Sequence, residues 1–277
     1  MFRRRIWLGI GASVLTSASS IAISGALSHD GSPGLHASGQ AMHPQRLLAA
    51  AGGEGGEGGE AGATGLGMEE FYAFHLLVMR GHLRIGHELA EQGHWEAAYP
   101  HFLHPIPEGY EPIEADLKRR GVPPFEDDLN ALARSVLKHD AKAMEAGYRT
   151  VLAKIDAAAA RTDASRRASP AYVATVTTRL MRKAADEYAE SIEHGRIAEA
   201  HEYQDARGFL LEAGDYLSTF LGAARVADSA AFDEIERARS EALRAMPSAM
   251  PPKPPLIEPG IVSAAVSRAE LAASGIR

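Results

Sequence analysis

The stretch from Met68 to Gln92 constrains this chain more than any other. Apolar residues recur there at three- and four-residue intervals, and no proline interrupts them. That is the period of an amphipathic α-helix. With His75 set at zero and about 100° per residue, Phe71, Tyr72, Val78, Met79, Leu83, Ile85, Leu89 and Ala90 share one side. His82 lands about 20° from His75. Glu70, Arg80, Arg84, Glu88 and Glu91 take the opposite side. Two imidazoles therefore stand at the centre of a greasy stripe. A buried imidazole needs a hydrogen-bond partner or a metal ion.

The flanking segments set the context. Residues 1–28 read as a secretory signal: Arg3, Arg4 and Arg5 supply a basic start, and Ile6 to Leu27 an apolar run. Ala26-Leu27-Ser28 gives a small-x-small cleavage site. A retained membrane anchor is the other reading, since the run is almost long enough to span a bilayer. Residues 29–67 read as a disordered linker of Gly, Ser, Ala and His, with Gly-Gly-Glu repeated three times between 52 and 60. Such a composition buries too little apolar area to offset the entropy of ordering it.

Beyond the first helix the pattern stays helical. Residues 94–104 present Trp95, Ala98, Tyr99 and Phe102 on a second helix that Pro105 and Pro107 should end. A third stretch covers 108–120 and stops at Gly121. Pro124 opens a fourth, long helix over 125–160, with Asp140 falling inside its apolar seam. Ser169-Pro170 starts a fifth that runs toward Phe220, with breaks open at Gly195, Gly208 or Gly214, and 229–246 makes a sixth. The body is thus expected over 68–246. Residues 247–277 form a proline-rich tail, with six prolines between 247 and 259 and a weak terminal helix after them. No useful period-two pattern appears. The expected class is all-α: an antiparallel bundle of about five or six helices, with a disordered N-terminal linker and a proline-rich tail.

Composition narrows the chemistry. None of the 277 residues is cysteine, which removes disulfides, thiolate metal sites and a thiol nucleophile. Formal charge is −7. Without residues 1–28 the chain keeps 26 basic against 36 acidic residues, a net −10. That sign opposes a phosphate backbone and favours cations, so nucleic acid is not an expected partner. A membrane transporter or another periplasmic protein is, and the membrane itself only through an uncleaved signal segment.

Six of the twelve histidines lie between 75 and 104. His75 and His82 are the expected core ligands of a metal site. His101 and His104, three apart, share one helical face. On the fifth helix His194, His201, Glu187, Glu190, Asp205 and Glu212 fall on one strip, which is either a solvated face or a wall of the site. His101, His104, His194 and His201 are expected to complete the metal shell, with Glu190 and Asp140 in support. In helical bundles metal sites are built from such inward imidazoles and carboxylates. The donor types suit iron, copper or zinc. HExxH, GxSxG and a phosphate-binding glycine loop are all missing, so binding rather than catalysis is expected.

Two resemblances follow from these residues. Ile85, Gly86, Gly93, Ala98 and Phe102 resemble part of a tetratricopeptide helix pair, which implies a tight helical hairpin and, as the alternative function, a protein-interaction module without ligand. Arg119 and Arg120 depart from that pattern one repeat on. An exported α-bundle rich in histidine and acid also looks like the periplasmic imelysin-type iron-uptake components. Their GxHxxE signature is not present, so the likeness implies a class of architecture and no site residues. The expectation is an exported helical protein that binds or hands over a transition metal.

Overall fold

The computed structural model describes residues 65–277. The signal segment and nearly all of the linker lie outside the described residues. What is described is all-α apart from one short hairpin. In order come α1 (Met68–Glu91), α2 (Trp95–Leu103), a wide π-type turn (Pro105–Tyr110), a 3-10 turn (Glu111–Ile113) and α3 (Glu114–Arg119). Then follow α4 (Glu126–Leu137), α5 (Ala141–Ala159), the single turn α6 (Ala164–Arg167) and α7 (Pro170–Glu190). A hairpin of β1 (Ile192–Glu193) and β2 (Arg196–Ile197) leads to α8 (Ala200–Leu243) and α9 (Pro259–Ser274). No helix among the described residues is long and apolar enough to cross a membrane.

Glu69 and Glu70 lie in the first turn of α1, where the helix dipole favours negative charge. The helix ends in a left-handed Gly93 (φ 82°), with Gly93 N–H bonded to Ala90 O and His94 N–H to Leu89 O. This pair of bonds is the Schellman closure that glycine permits. One flank of α1 (Phe74, Leu77, Val78) joins α7, α8 and α9 in a four-helix core. The other (Tyr72, Leu76, Met79, Leu83, Leu89) joins α2, α4 and α5. The opening helix is therefore shared by both cores.

The structure departs from sequence expectation in three places, and at another it takes one of the breaks that the sequence left open. The helix expected over 125–160 is two helices. His139 takes a left-handed φ of 54°, and the Asp140 carboxylate accepts the Ala143 N–H at 3.0 Å as the N-cap of α5. The apolar seam runs on in phase across that break, so periodicity does not reveal it. Pro105 and Pro107 do not end the helical path. They remove two i→i−4 donors, and the chain winds through the wider π-type turn instead. The fifth helix breaks at a two-residue turn of His194 (φ 51°) and Gly195 (φ 71°), both in the conformation that tight hairpins demand. Finally, α9 is part of the core: Val262, Ala265, Val266 and Ala269 are buried against α7 and α8. Prolines before it set its entry, and its small residues allow close packing.

The hairpin of α1 and α2 is tight at Gly86, where a Cβ would stand 2.8 Å from the Phe102 ring. Phe102 is fully buried and Trp95 stacks on His139. A ligand-free interaction module would need an open apolar groove along Trp95, Tyr99 and Phe102, and Phe102 is shut inside the hairpin.

Candidate metal centre

Four elements meet around Asp205. The backbones of α1 and α8 run close together, so that a Cβ on Gly208 would collide with the Gly81 carbonyl oxygen and one on Gly81 with the Phe209 ring. Backbones this near bring His82, one residue beyond Gly81, against Asp205. From α2 come His101 and His104. The π-type turn delivers Glu108, and α7 delivers Lys183 and Glu187.

Asp205 is the hub. His82 Nδ1–H donates to its Oδ1 at 2.6 Å, and His101 Nδ1–H donates to the same oxygen at 2.8 Å. His104 Nδ1 lies 3.5 Å from Oδ2. The other face of His82, Nε2, meets Glu108 Oε2 at 3.3 Å. Glu108 Oε1 lies 3.6 Å from His104 Nδ1, and Glu108 Oε2 lies 3.1 Å from Lys183 Nζ. Lys183 donates to Glu187 Oε1 at 2.8 Å and stands over the Phe209 ring. His101 Nε2 faces the Gln204 amide oxygen at 2.9 Å. His82, His101, Asp205 and Lys183 are all buried.

The electrostatics follow from this arrangement. Burial opposes a charge on His82, but Asp205 and Glu108 outweigh it, and the imidazole pKa is held up to about 10. A ring that donates through both nitrogens to carboxylates is an imidazolium. Burial would raise Asp205, yet His82 and His101 hold it well below the usual carboxylate range. Glu108 is likewise driven down, against its burial, by His82 and Lys183. Glu187 goes the other way. Burial pushes it up despite Lys183, and the neighbouring Glu202 adds to the push.

Within this cluster His82, His104 and Asp205 each offer a ligand atom, and these atoms all lie within 4.8 Å of one another. Two imidazoles and a carboxylate, drawn from three helices, form a donor set that suits iron, zinc or copper(II). His101 and Glu108 stand next to the three and would orient them, or complete the shell. A second group, Glu187, Glu190 and Glu202, meets the same distance criterion nearer the surface. His201 links the two: its Nε2 is 3.2 Å from Glu202 Oε1 and its ring centroid 6.3 Å from that of His104.

The residues singled out in the sequence are thus divided. His82, His101 and His104 converge. His201 and Glu190 belong to the neighbouring acidic group. His75 lies beside the cluster rather than in it: Nδ1–H donates to the main-chain oxygen of Glu108 at 2.8 Å, between Phe71 and Phe74. Burial drops its pKa to about 4, so the ring is neutral. Asp140 caps α5 on the exposed surface, and His194 sits in the hairpin turn, exposed; neither reaches the centre. Asp205 and Glu187 have a sequence signal, the polar strip, whose inward orientation only packing decides. Asp205, Glu187 and Glu212 on that strip are buried, not solvated. Glu108 and Lys183 have none, because a π-type turn has no sequence period and a lone lysine on α7 reads as surface.

Residues 162–276 match the model of a family described as the iron permease-associated 4-helix bundle domain. The matched stretch runs from α6 to α9 and carries Lys183, Glu187, Glu190, His201, Glu202 and Asp205. It leaves out α1 to α5, and with them His82, His101, His104 and Glu108. The match ties this part of the chain to an iron-permease-linked kind of domain, and so to a metal-related setting. No curated protein and no solved structure matches the chain.

Proposed function

We propose that this protein is exported to the periplasm, where it holds a transition metal ion, iron foremost, and hands it to a membrane permease. The metal is cargo, and His82, His104 and Asp205 are its ligands, with His101 and Glu108 as orienting neighbours. One observation carries this reading: a mixed imidazole and carboxylate set in which buried His82 and Asp205 and half-buried His104 bring their ligand atoms within 4.8 Å of one another. Chains rarely bury a carboxylate with two imidazoles, and set a half-buried Glu108 and His104 against them, without a use for them, because a buried charge costs several kcal/mol of desolvation. Iron comes first because of the family match over 162–276. Export rests on the N-terminal signal pattern.

Holding a metal requires His82 to give up a proton, so uptake should release protons and weaken as pH falls. The test is metal titration of the purified protein beside His82→Ala/His104→Ala. The expected result is one tightly held ion per wild-type chain and none in the double variant. Unchanged stoichiometry in the variant removes the assignment. A second reading, a ligand-free interaction module, draws on the hydrogen bonds that already satisfy His82 and His101 within the protein. It predicts no specific uptake and equal stability with and without chelator.

A further inference from the structure

The buried cluster contains a cation of its own. Lys183 is 2% exposed, deep on α7, where a lysine is rarely found. Its ammonium is held by Glu108 Oε2 at 3.1 Å and Glu187 Oε1 at 2.8 Å, over the face of Phe209 at 5.2 Å. The same Glu108 oxygen is the one that meets His82 Nε2 at 3.3 Å. Ammonium and imidazole therefore share one atom, and Lys183 stands immediately behind the ligands. The backing groups are Phe209, which also packs edge-on to His82, and the backbone crossing at Gly81 and Gly208. None of these is mobile solvent that would screen the charge.

We infer that Lys183 is a charge filter that shifts this centre's preference away from trivalent and toward divalent metal ions. The inference rests on the metal-binding reading of the same cluster. A fixed positive charge repels the bound ion in proportion to the ion's own charge. At a separation of about 6 Å and an effective dielectric of about 20, each added unit of ion charge lowers affinity roughly a hundredfold. Asp205 and Glu108 attract both kinds of ion, and attract the trivalent one more. Lys183 takes back part of that advantage. It does so as an ammonium, which has no lone pair to give a metal, held by Glu108 and Glu187. A centre built this way holds a divalent ion with less competition from a trivalent one.

The experiment compares Co2+, a divalent probe with its own absorption, and Ga3+, a trivalent probe that does not change oxidation state. Both are measured by competition against a chelator at one pH. The readout is the ratio of the two affinities, which a general loss of folding quality does not shift in one direction. Lys183→Met is expected to move that ratio toward Ga3+ by about a hundredfold. Lys183→Arg, which keeps the charge, should leave it close to wild type. If Lys183→Met unfolds, Lys183→Gln takes its place, since an amide can still bond Glu108. Co2+ binding with an unaltered ratio in the neutral variants would overturn the filter while leaving the metal site standing. A wild-type chain that binds neither ion overturns the filter and the metal-binding reading together.

Discussion

One oxygen of Asp205 accepts hydrogen bonds from both His82 and His101, while the other faces His104. Three side chains from two helices thus depend on a single carboxylate from a third. Removing one partner of a buried ionic network leaves an uncompensated charge, here the His82 imidazolium, at a typical cost of about 3–5 kcal/mol. Asp205→Ala should destabilise the metal-free protein by about that much in urea denaturation with chelator present. Asp205→Asn keeps the shape and one acceptor, and should cost less. A loss under about 1 kcal/mol for the alanine variant would mean that the cluster does not hold these helices together. At this scale the sequence is readable where the geometry is local. His101 and His104 are three apart on one helix, and they do share a face. It is unreadable where the partner is remote: Asp205 lies 104 positions from His101 and 123 from His82. Asp140 reads as a seam carboxylate only because a helix break is invisible to periodicity. The capping role that places it outside the site is a property of one dihedral angle.

Elements decide whether those side chains meet. The helix α1 is legible because twenty-four residues keep one period, and its boundaries follow from Gly93 and the acidic first turn. The crossing of α1 and α8 is not, since a glycine in a helix pattern reads first as a break, and Gly208 is one of three places where the sequence lets the fifth helix stop. In the structure Gly208 is helical and is there for closeness. A methyl group on it would strike the Gly81 carbonyl and press Ile85 at 3.1 Å. Gly222, farther along α8, has open space where a methyl carbon would stand, with nothing within 4 Å. The two glycines therefore predict opposite outcomes for the same substitution. Gly222→Ala should stabilise by about 0.5–1 kcal/mol through helix propensity alone. Gly208→Ala gains the same propensity but forces the helices apart, for a net loss of about 1–3 kcal/mol. It should also weaken metal uptake, because separating the helices separates His82 from Asp205. Thermal or urea denaturation of the two variants side by side checks the pair. Destabilisation of equal size in both would show that the crossing is not a point of close contact.

Over the whole molecule, the buried titratable groups should bend the dependence of stability on pH at both ends. His75 and His82 are seven residues apart on one helix, yet they act in opposite directions. The folded pKa of His82, about 10, lies above the ordinary imidazole value of 6.5. Its contribution is complete below about 6.5 and is lost as pH rises toward 10. The folded pKa of His75, about 4, lies below 6.5. Between those two values the unfolded chain binds a proton that the folded chain excludes, so stability falls as pH drops from 6.5 to 4. The span of that loss is on the order of 3 kcal/mol. Asp205 and Glu108, both depressed, add to the loss on the acid side, but only where an unfolded carboxylate protonates, near pH 4 and below. The metal-free protein should accordingly be most stable near neutrality. His75→Leu should flatten the limb between pH 6.5 and 4 while leaving the fall below pH 4 in place. His82→Gln should flatten the alkaline limb instead. The measurement is denaturant unfolding across pH 3 to 10 in chelator, one curve for each chain. Should His75→Leu keep the wild-type slope between 6.5 and 4, the ring of His75 is not a neutral group bonded to the main chain. The polar centre would then have to be redrawn with His75 facing it.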